Sequence, residues 1–160
     1  MELYILRHGI AEDGGPGRPD EKRELTQEGR QKLTGTLRTA ARAGIKPAMI
    51  LTSPLVRAVE TAELAATELG YSGDLIRSNA LIPEAEPQAV WDEIRTHQNE
   101  SSLMLSSHNP LCSRLAGYLL AAPELSVEFK KGSMLCVHLD RVGSQPRGVL
   151  LWMLGSKFRV

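Results

Sequence analysis

Short apolar runs alternate along the chain with longer stretches in which apolar residues recur every third or fourth position. The run at residues 2–6 (ELYIL) is β-prone and stops at Arg7-His8-Gly9, which predicts a first strand. From Thr26, a good N-cap, Leu33, Leu37, Ala40 and Ala41 fall at helical spacing. Gly29 weakens the first turn of that helix slightly, and Gly44 and Pro47 close it. Residues 48–52 (AMILT) are apolar until their end, the pattern of an interior parallel strand covered on both faces. Ser53-Pro54 then has the form of an N-cap followed by proline at the first helical position, opening a helix that stops at Gly70. Residues 74–78 give a weaker third strand, and residues 87–97 a short helix with Val90, Trp91 and Ile94 on one stripe. Residues 102–106 (SLMLS) form a fourth strand and residues 110–121 a helix. Two late apolar runs, 134–139 and 149–153, read as strands about a Gly/Pro turn.

Strand–helix alternation on this scale predicts a single α/β domain over residues 1–160, three layers (α/β/α) around a mostly parallel central sheet with right-handed crossovers. Residues 12–24 (EDGGPGRPDEKRE) break the pattern. Rich in Gly, Pro and charge, they read as an exposed loop directly after the first strand. Between the third and fourth strands only residues 79–101 intervene, enough for a loop and one short helix but not for a cap domain.

Charge narrows the functional classes. Lys and Arg number 19 against 19 Asp and Glu, so a general nucleic-acid or anionic-membrane binder is not expected, and any anion site must come from locally clustered arginines. Aromatics at 4% speak against a base-stacking surface. No apolar stretch approaches the ~20 residues of a membrane span, and the N-terminal run is too short for a secretory signal. The expectation is a cytoplasmic protein, monomeric or weakly oligomeric, with no nucleic-acid or membrane partner. Cys112 and Cys136 are far apart and in no C-x-x-C pattern, which reads as two small buried apolar side chains.

In parallel α/β sheets substrates bind at the carboxyl ends of strands. Beyond the first strand stands Arg7-His8-Gly9; beyond the second, Ser53-Pro54 with Arg57 following; beyond the fourth, Ser107-His108-Asn109-Pro110. Any one of these alone is most often a solvated strand-end residue. If the three strands are neighbours, two arginines and two histidines meet in one crevice. His97, at the end of a polar helix, and His138, within a late strand, read as ordinary. Two histidines with no third ligand at metal spacing argue against a metal site, and no cofactor is expected.

The chemistry of such a cluster points to phosphate. Arginine is permanently charged and presents a fork of donors matched to phosphate oxygens. Two of them complement the roughly −1.5 to −2 charges of a phosphoryl group. A neutral histidine can attack phosphorus and form a covalent intermediate. A second, cationic histidine would donate to the equatorial oxygens in the transition state. Ser53 and Asn109 would add neutral hydrogen bonds, and the helix expected to start near Pro54 would favour an anion. Neutral and cationic histidines together predict a bell-shaped kcat/KM profile.

The segments LRHGIAED, LTSPLVRAVETA and SSHNP, in this order, resemble the histidine phosphatase superfamily, which shares its core with the cofactor-dependent phosphoglycerate mutases. The small size and the RELTQEG segment (23–29) look most like the SixA branch, whose members remove phosphate from phosphohistidine in phosphorelay proteins. The resemblance implies His8 as the phosphorylated nucleophile, Arg7 and Arg57 as grips on the phosphoryl oxygens, and His108 as their electrostatic partner. It also implies that Glu60 and Thr61 support the site from behind. Arg23 is either a further pocket-facing arginine, as in SixA-like chains, or a loop charge beside Lys22 and Glu24.

Relatives that cleave phosphate esters use a carboxylic acid to protonate the leaving alkoxide. Glu84, with Glu86 second, is either that acid or a surface residue ahead of a helix. Phosphohistidine leaves as an imidazole and needs such an acid less, and an open pocket suits a phosphate displayed on a protein. The resulting expectation is a metal-independent phosphatase acting on a phosphorylated histidine-containing signalling protein. A phosphatase of small esters or sugar phosphates with Glu84 as acid is the alternative, and a non-catalytic phosphate-binding module is the reading from outside enzymology.

Overall fold

A computed structural model describes residues 1–155. Its six strands are β1 (Glu2–Arg7), β2 (Met49–Thr52), β3 (Leu75–Arg77), β4 (Ser102–Ser107), β5 (Met134–Leu139) and β6 (Gly148–Leu154). They form one sheet in the order β3-β2-β4-β1-β5-β6. β1 to β4 run parallel to one another, whereas β5 lies antiparallel to β1, and β6 antiparallel to β5. The mostly parallel sheet is thus a parallel half carrying an antiparallel hairpin on one side.

Strand alternation divides the core into two layers. Leu3, Ile5, Leu103 and Leu105 face one way, onto Trp91 and Ile94 of α3 (Pro87–Thr96) and Leu111 and Leu115 of α4 (Leu111–Leu119). Tyr4, Leu6 and Met104 face the other way, onto Leu33 and Leu37 of α1 (Gln27–Arg42) and Ala62 and Ala65 of α2 (Val56–Leu69). Three layers result, with β4 buried along its whole length. Residues 79–101 hold one short 3-10 turn, Asn79–Leu81, and α3, so no cap covers the sheet ends among the described residues. No helix among these residues is long and apolar enough to cross a membrane. Both cysteines are buried, and burial pushes each thiol up to about 12.

Three local expectations change. α2 does not begin at Ser53-Pro54: its N-cap is Leu55. The Ser53 N–H still donates to Ser106 O at 3.0 Å, extending the sheet by one residue, and its hydroxyl is engaged elsewhere. α4 spans Leu111–Leu119 rather than residues 110–121. Gly29 is not merely a weak spot in α1. The Thr26 hydroxyl caps the helix by accepting from Gly29 N at 2.9 Å, and a Cβ on Gly29 would lie 2.1 Å from the carbonyl oxygen of Ile10. The glycine lets the chain leaving β1 press against the first turn of α1.

Candidate active site

Register brings the chemistry together. Arg7 pairs with Ser107 at the end of the β1–β4 ladder, and Thr52 pairs with Ser106 at the end of β2–β4. The next residues, Ser53, His8 and His108, therefore emerge side by side. His8 N donates to Ser107 O at 2.9 Å, and the His8 and His108 rings lie 5.0 Å apart between centroids. Both are buried, at 5% and 1% exposure.

The backbone sets the state of His8. Its Nδ1 lies 2.7 Å from the carbonyl oxygen of Gly9. A carbonyl only accepts, so this contact is a hydrogen bond when Nδ1 carries the proton, and the neutral ring then keeps its lone pair on Nε2. Gly9 is held in turn: its N–H donates to Thr61 Oγ1 at 3.2 Å, and that hydroxyl donates to Arg57 O at 2.7 Å. Glu60 accepts from Leu25 N at 2.7 Å and pairs with Arg30, tying α2 to the start of α1. Neither Glu60 nor Thr61 faces outward as a reacting group.

His108 Nε2 and Ser53 Oγ lie 2.8 Å apart, and Ser53 Oγ also accepts from Leu55 N at 3.3 Å. His108 Nδ1 is buried without a protein partner. Arg7 Nη1 donates to Phe129 O, while Arg7 Nε is buried and unpartnered. The segment 129–133 wraps this arginine, with Gly132 N donating to the carbonyls of Arg7 and His8 at 3.1 and 3.0 Å. Asn109, expected to face substrate, also belongs to this support. Its Nδ2 donates to Phe129 O at 3.3 Å, and its Oδ1 accepts from Ser113 at 3.1 Å.

Arg57, the second residue of α2, has only 5% of its side chain exposed. Its Nη1 donates to Asp20 O at 2.8 Å and its Nη2 to Asp20 Oδ2 at 3.0 Å, with Nε buried and unpartnered. Arg23 joins the same cluster, its Nη1 donating to Asp20 Oδ1 at 2.8 Å and its Nε to Glu12 O at 2.6 Å. Its side chain is bonded in place and 19% exposed. Asp20 is the residue that sequence reasoning missed. It lies in a mixed-charge loop, 37 positions from Arg57, and the one local signal is its place three residues before Arg23.

Both imidazoles are held well below their ordinary value of 6.5, chiefly by burial and further by the positive charges of Arg57 and Arg7, with Lys131 adding to the effect on His8 and the neighbouring His8 ring to that on His108. Asp20 pulls His108 the other way. Burial and the two nearby guanidinium groups thus favour the neutral form of both rings in the free site, where a cationic His108 was expected. The Asp20 carboxyl is held below the usual carboxylate range by its bonds to Arg23 and Arg57.

The acids after β3 stand apart. Glu84 is exposed, and no hydrogen bond or ion pair holds its carboxylate among the described residues. Glu86 precedes α3 and pairs with Arg114 at the surface.

Guanidinium and imidazole groups thus gather at the parallel strand ends, and Arg7 Nε, Arg57 Nε and His108 Nδ1 are buried without protein partners, a donor set whose chemistry suits an oxyanion. The sequence profile of the histidine phosphatase superfamily (branch 1) matches residues 3–82. An uncharacterised protein of Picosynechococcus sp. is 36% identical over 111 residues, 69% of this chain and 67% of its own length. The chain belongs to the histidine phosphatase superfamily. Among solved structures, the protein histidine phosphatase SixA complexed with tungstate superposes with a TM-score of 0.88 at 24% identity, over 98% of this chain and 97% of that one. A mycobacterial glucosyl-3-phosphoglycerate phosphatase does so at 0.70 and 16% identity, over 94% and 96%. These two likenesses are of fold. Family membership supports a phosphatase activity.

Proposed function

We propose that the protein hydrolyses phosphohistidine displayed on a protein, through a covalent phosphohistidine formed on His8. The observation that carries this reading is the set of unpartnered buried atoms, Arg7 Nε, Arg57 Nε and His108 Nδ1, beside a histidine whose Nδ1 contact leaves Nε2 as the nucleophilic nitrogen. His8 Nε2 attacks phosphorus as the substrate's P–N bond breaks, and the substrate imidazole leaves as the neutral ring, its other nitrogen protonated. Water then attacks the phosphorus on His8; the second P–N bond breaks, and inorganic phosphate and neutral His8 are regenerated. Arg7 and Arg57 stabilise charge on the equatorial oxygens in both steps. His108 enters neutral; the arriving anion favours its protonated form, from which Nδ1 donates to an oxygen.

A protein-borne substrate is supported by the uncovered sheet ends, because a small ester would find few walls there. The test compares kcat/KM for a phosphohistidine-bearing phosphotransfer domain with a panel of sugar phosphates, with no divalent metal added. Preference for the domain is expected, together with an acid-labile phosphoenzyme that disappears in His8→Ala. Preference for the sugar phosphates, or full activity in His8→Ala, rejects the proposal.

The fold match to a glucosyl-3-phosphoglycerate phosphatase and the unpaired Glu84 favour a second reading, a small-ester phosphatase with Glu84 as acid. Glu84→Gln separates the two. Selective loss on an alkyl phosphate relative to an aryl phosphate supports the ester reading, and no loss on either supports the phosphohistidine reading.

A further inference from the structure

We propose that Asp20 is a positioning residue that fixes which edge of Arg57 meets an oxyanion and limits the positive charge of the pocket. This rests on the phosphoryl-transfer reading above. A guanidinium group offers two edges to a tetrahedral anion: the end formed by Nη1 and Nη2, and the side formed by Nε and Nη2. Asp20 occupies the end, through its carbonyl on Nη1 at 2.8 Å and its carboxylate on Nη2 at 3.0 Å. The side edge is what remains, and its Nε is buried without a partner. Oxyanion binding by Arg57 is thereby directed to Nε and the second Nη2 hydrogen.

The same carboxylate reaches a second arginine. Its Oδ1 accepts from Arg23 Nη1 at 2.8 Å, and Arg23 Nε is anchored on Glu12 O at 2.6 Å. One acid, itself 60% exposed, thus orders two guanidinium groups that are far less exposed. It also sets the charge balance. Arg7, Arg23, Arg57 and Lys131 all bring positive charge to this region, and Asp20 offsets one of these charges. A pocket with one more uncompensated charge binds inorganic phosphate, the product, more tightly. That extra binding is uniform rather than confined to the transition state, so it slows turnover.

Asp20→Asn keeps the side-chain size and the backbone carbonyl while removing the charge. Tungstate binding to the full chain, measured calorimetrically, reads the effect without relying on catalysis. Tungstate affinity and inhibition by inorganic phosphate are both expected to tighten roughly tenfold in Asp20→Asn. kcat on an aryl phosphate should fall, and Asp20→Glu should restore all three towards the parent values. A purely structural role would lower Tm and weaken the oxyanion instead. Unchanged or weaker tungstate binding in Asp20→Asn overturns the inference. Absence of tungstate binding in the parent protein overturns it together with the proposed function. Parent binding without turnover of any phosphorylated substrate rejects the function alone.

Discussion

The two sides of the pocket are built differently. At the ends of β1, β2 and β4, His8, Ser53 and His108 are placed by ladder hydrogen bonds and core packing, and all three are buried. Across from them, residues 12–24 form an exposed loop with a single 3-10 turn, Asp20–Lys22, that reaches the pocket through Asp20 and Arg23. The first side supplies the reacting groups in fixed positions. The second supplies counter-charge on a segment with almost no core of its own. Rigidity at the strand ends is over-determined, whereas order in the loop depends on a few polar contacts with Arg57, Arg23 and Glu12.

The largest effect should come from the two arginines, and it should differ in kind between the sides. Arg7→Ala and Arg57→Ala are each expected to lower kcat by about 10²–10³ if they act on transition-state charge; a rise in KM alone would mean uniform binding. Arg7→Ala also removes the bond to Phe129 O and should loosen residues 129–133. Arg57→Ala removes both anchors of Asp20 on α2, so trypsin should cut faster after Lys22 and Arg23. Unchanged loop proteolysis in Arg57→Ala would show that the loop is held by other means.

The same contrast explains what could be read from the chain. The strand ends were legible because parallel α/β topology sets separate motifs side by side, and the register of β1, β4 and β2 places His8, Ser53 and His108 next to one another. The support of those residues was not legible. Asn109 looked like a substrate contact, yet its amide serves the carbonyl of Phe129, a backbone atom with no signature in sequence. Ser53-Pro54 looked like a helix start, yet the serine hydroxyl is engaged by His108 from another strand. Asp20 lay in a loop where five acids and three bases alternate without period, so nothing local distinguished it from its neighbours.

Acid should act on the strand-end side. His8 and His108 titrate below 6.5 in the fold and near 6.5 when unfolded, so below that pH the unfolded chain binds more protons than the folded one. Stability is therefore fully present above pH 6.5 and is lost as pH falls, with a slope approaching about 1.4 kcal/mol per pH unit for each histidine that stays neutral. The window from pH 6.5 to 5 isolates this effect, since most carboxylates remain ionised there. Chemical denaturation across that window should show the loss, and His108→Gln should roughly halve its slope, leaving the part due to His8. NMR of the ring carbons should find both histidines neutral at pH 5.5 in the free protein. His108 titrating near 6.5 would mean that burial does not hold that ring neutral.

At the hinge between the two sides, Gly29→Ala should destabilise the protein. In an exposed helix the exchange gains up to about 1 kcal/mol of helix propensity. Here the added Cβ would sit 2.1 Å from Ile10 O, so the chain leaving β1 must move away from α1. A net loss of about 1–3 kcal/mol is expected, as for other overpacked sites, read as a lower midpoint in urea. A rise in the midpoint would mean that the entrance to the loop yields at no cost.

The smallest effect should follow Ser53→Ala, and it tests how far the strand ends are over-determined. The hydroxyl lies 2.8 Å from His108 Nε2, but His108 is also fixed by complete burial and by its N-terminal neighbour Ser107, whose own hydroxyl donates to Leu81 O at 2.8 Å. Removing Ser53 Oγ deletes that contact and the longer bond from Leu55 N, each a net contribution of about 1 kcal/mol, and leaves the ring in place. kcat should fall by several-fold, far less than for either arginine, while KM and tungstate affinity stay near the parent values. A loss as large as that of Arg57→Ala would mean that the serine does more than orient the ring, and that the buried wall of the pocket depends on single contacts just as the loop does.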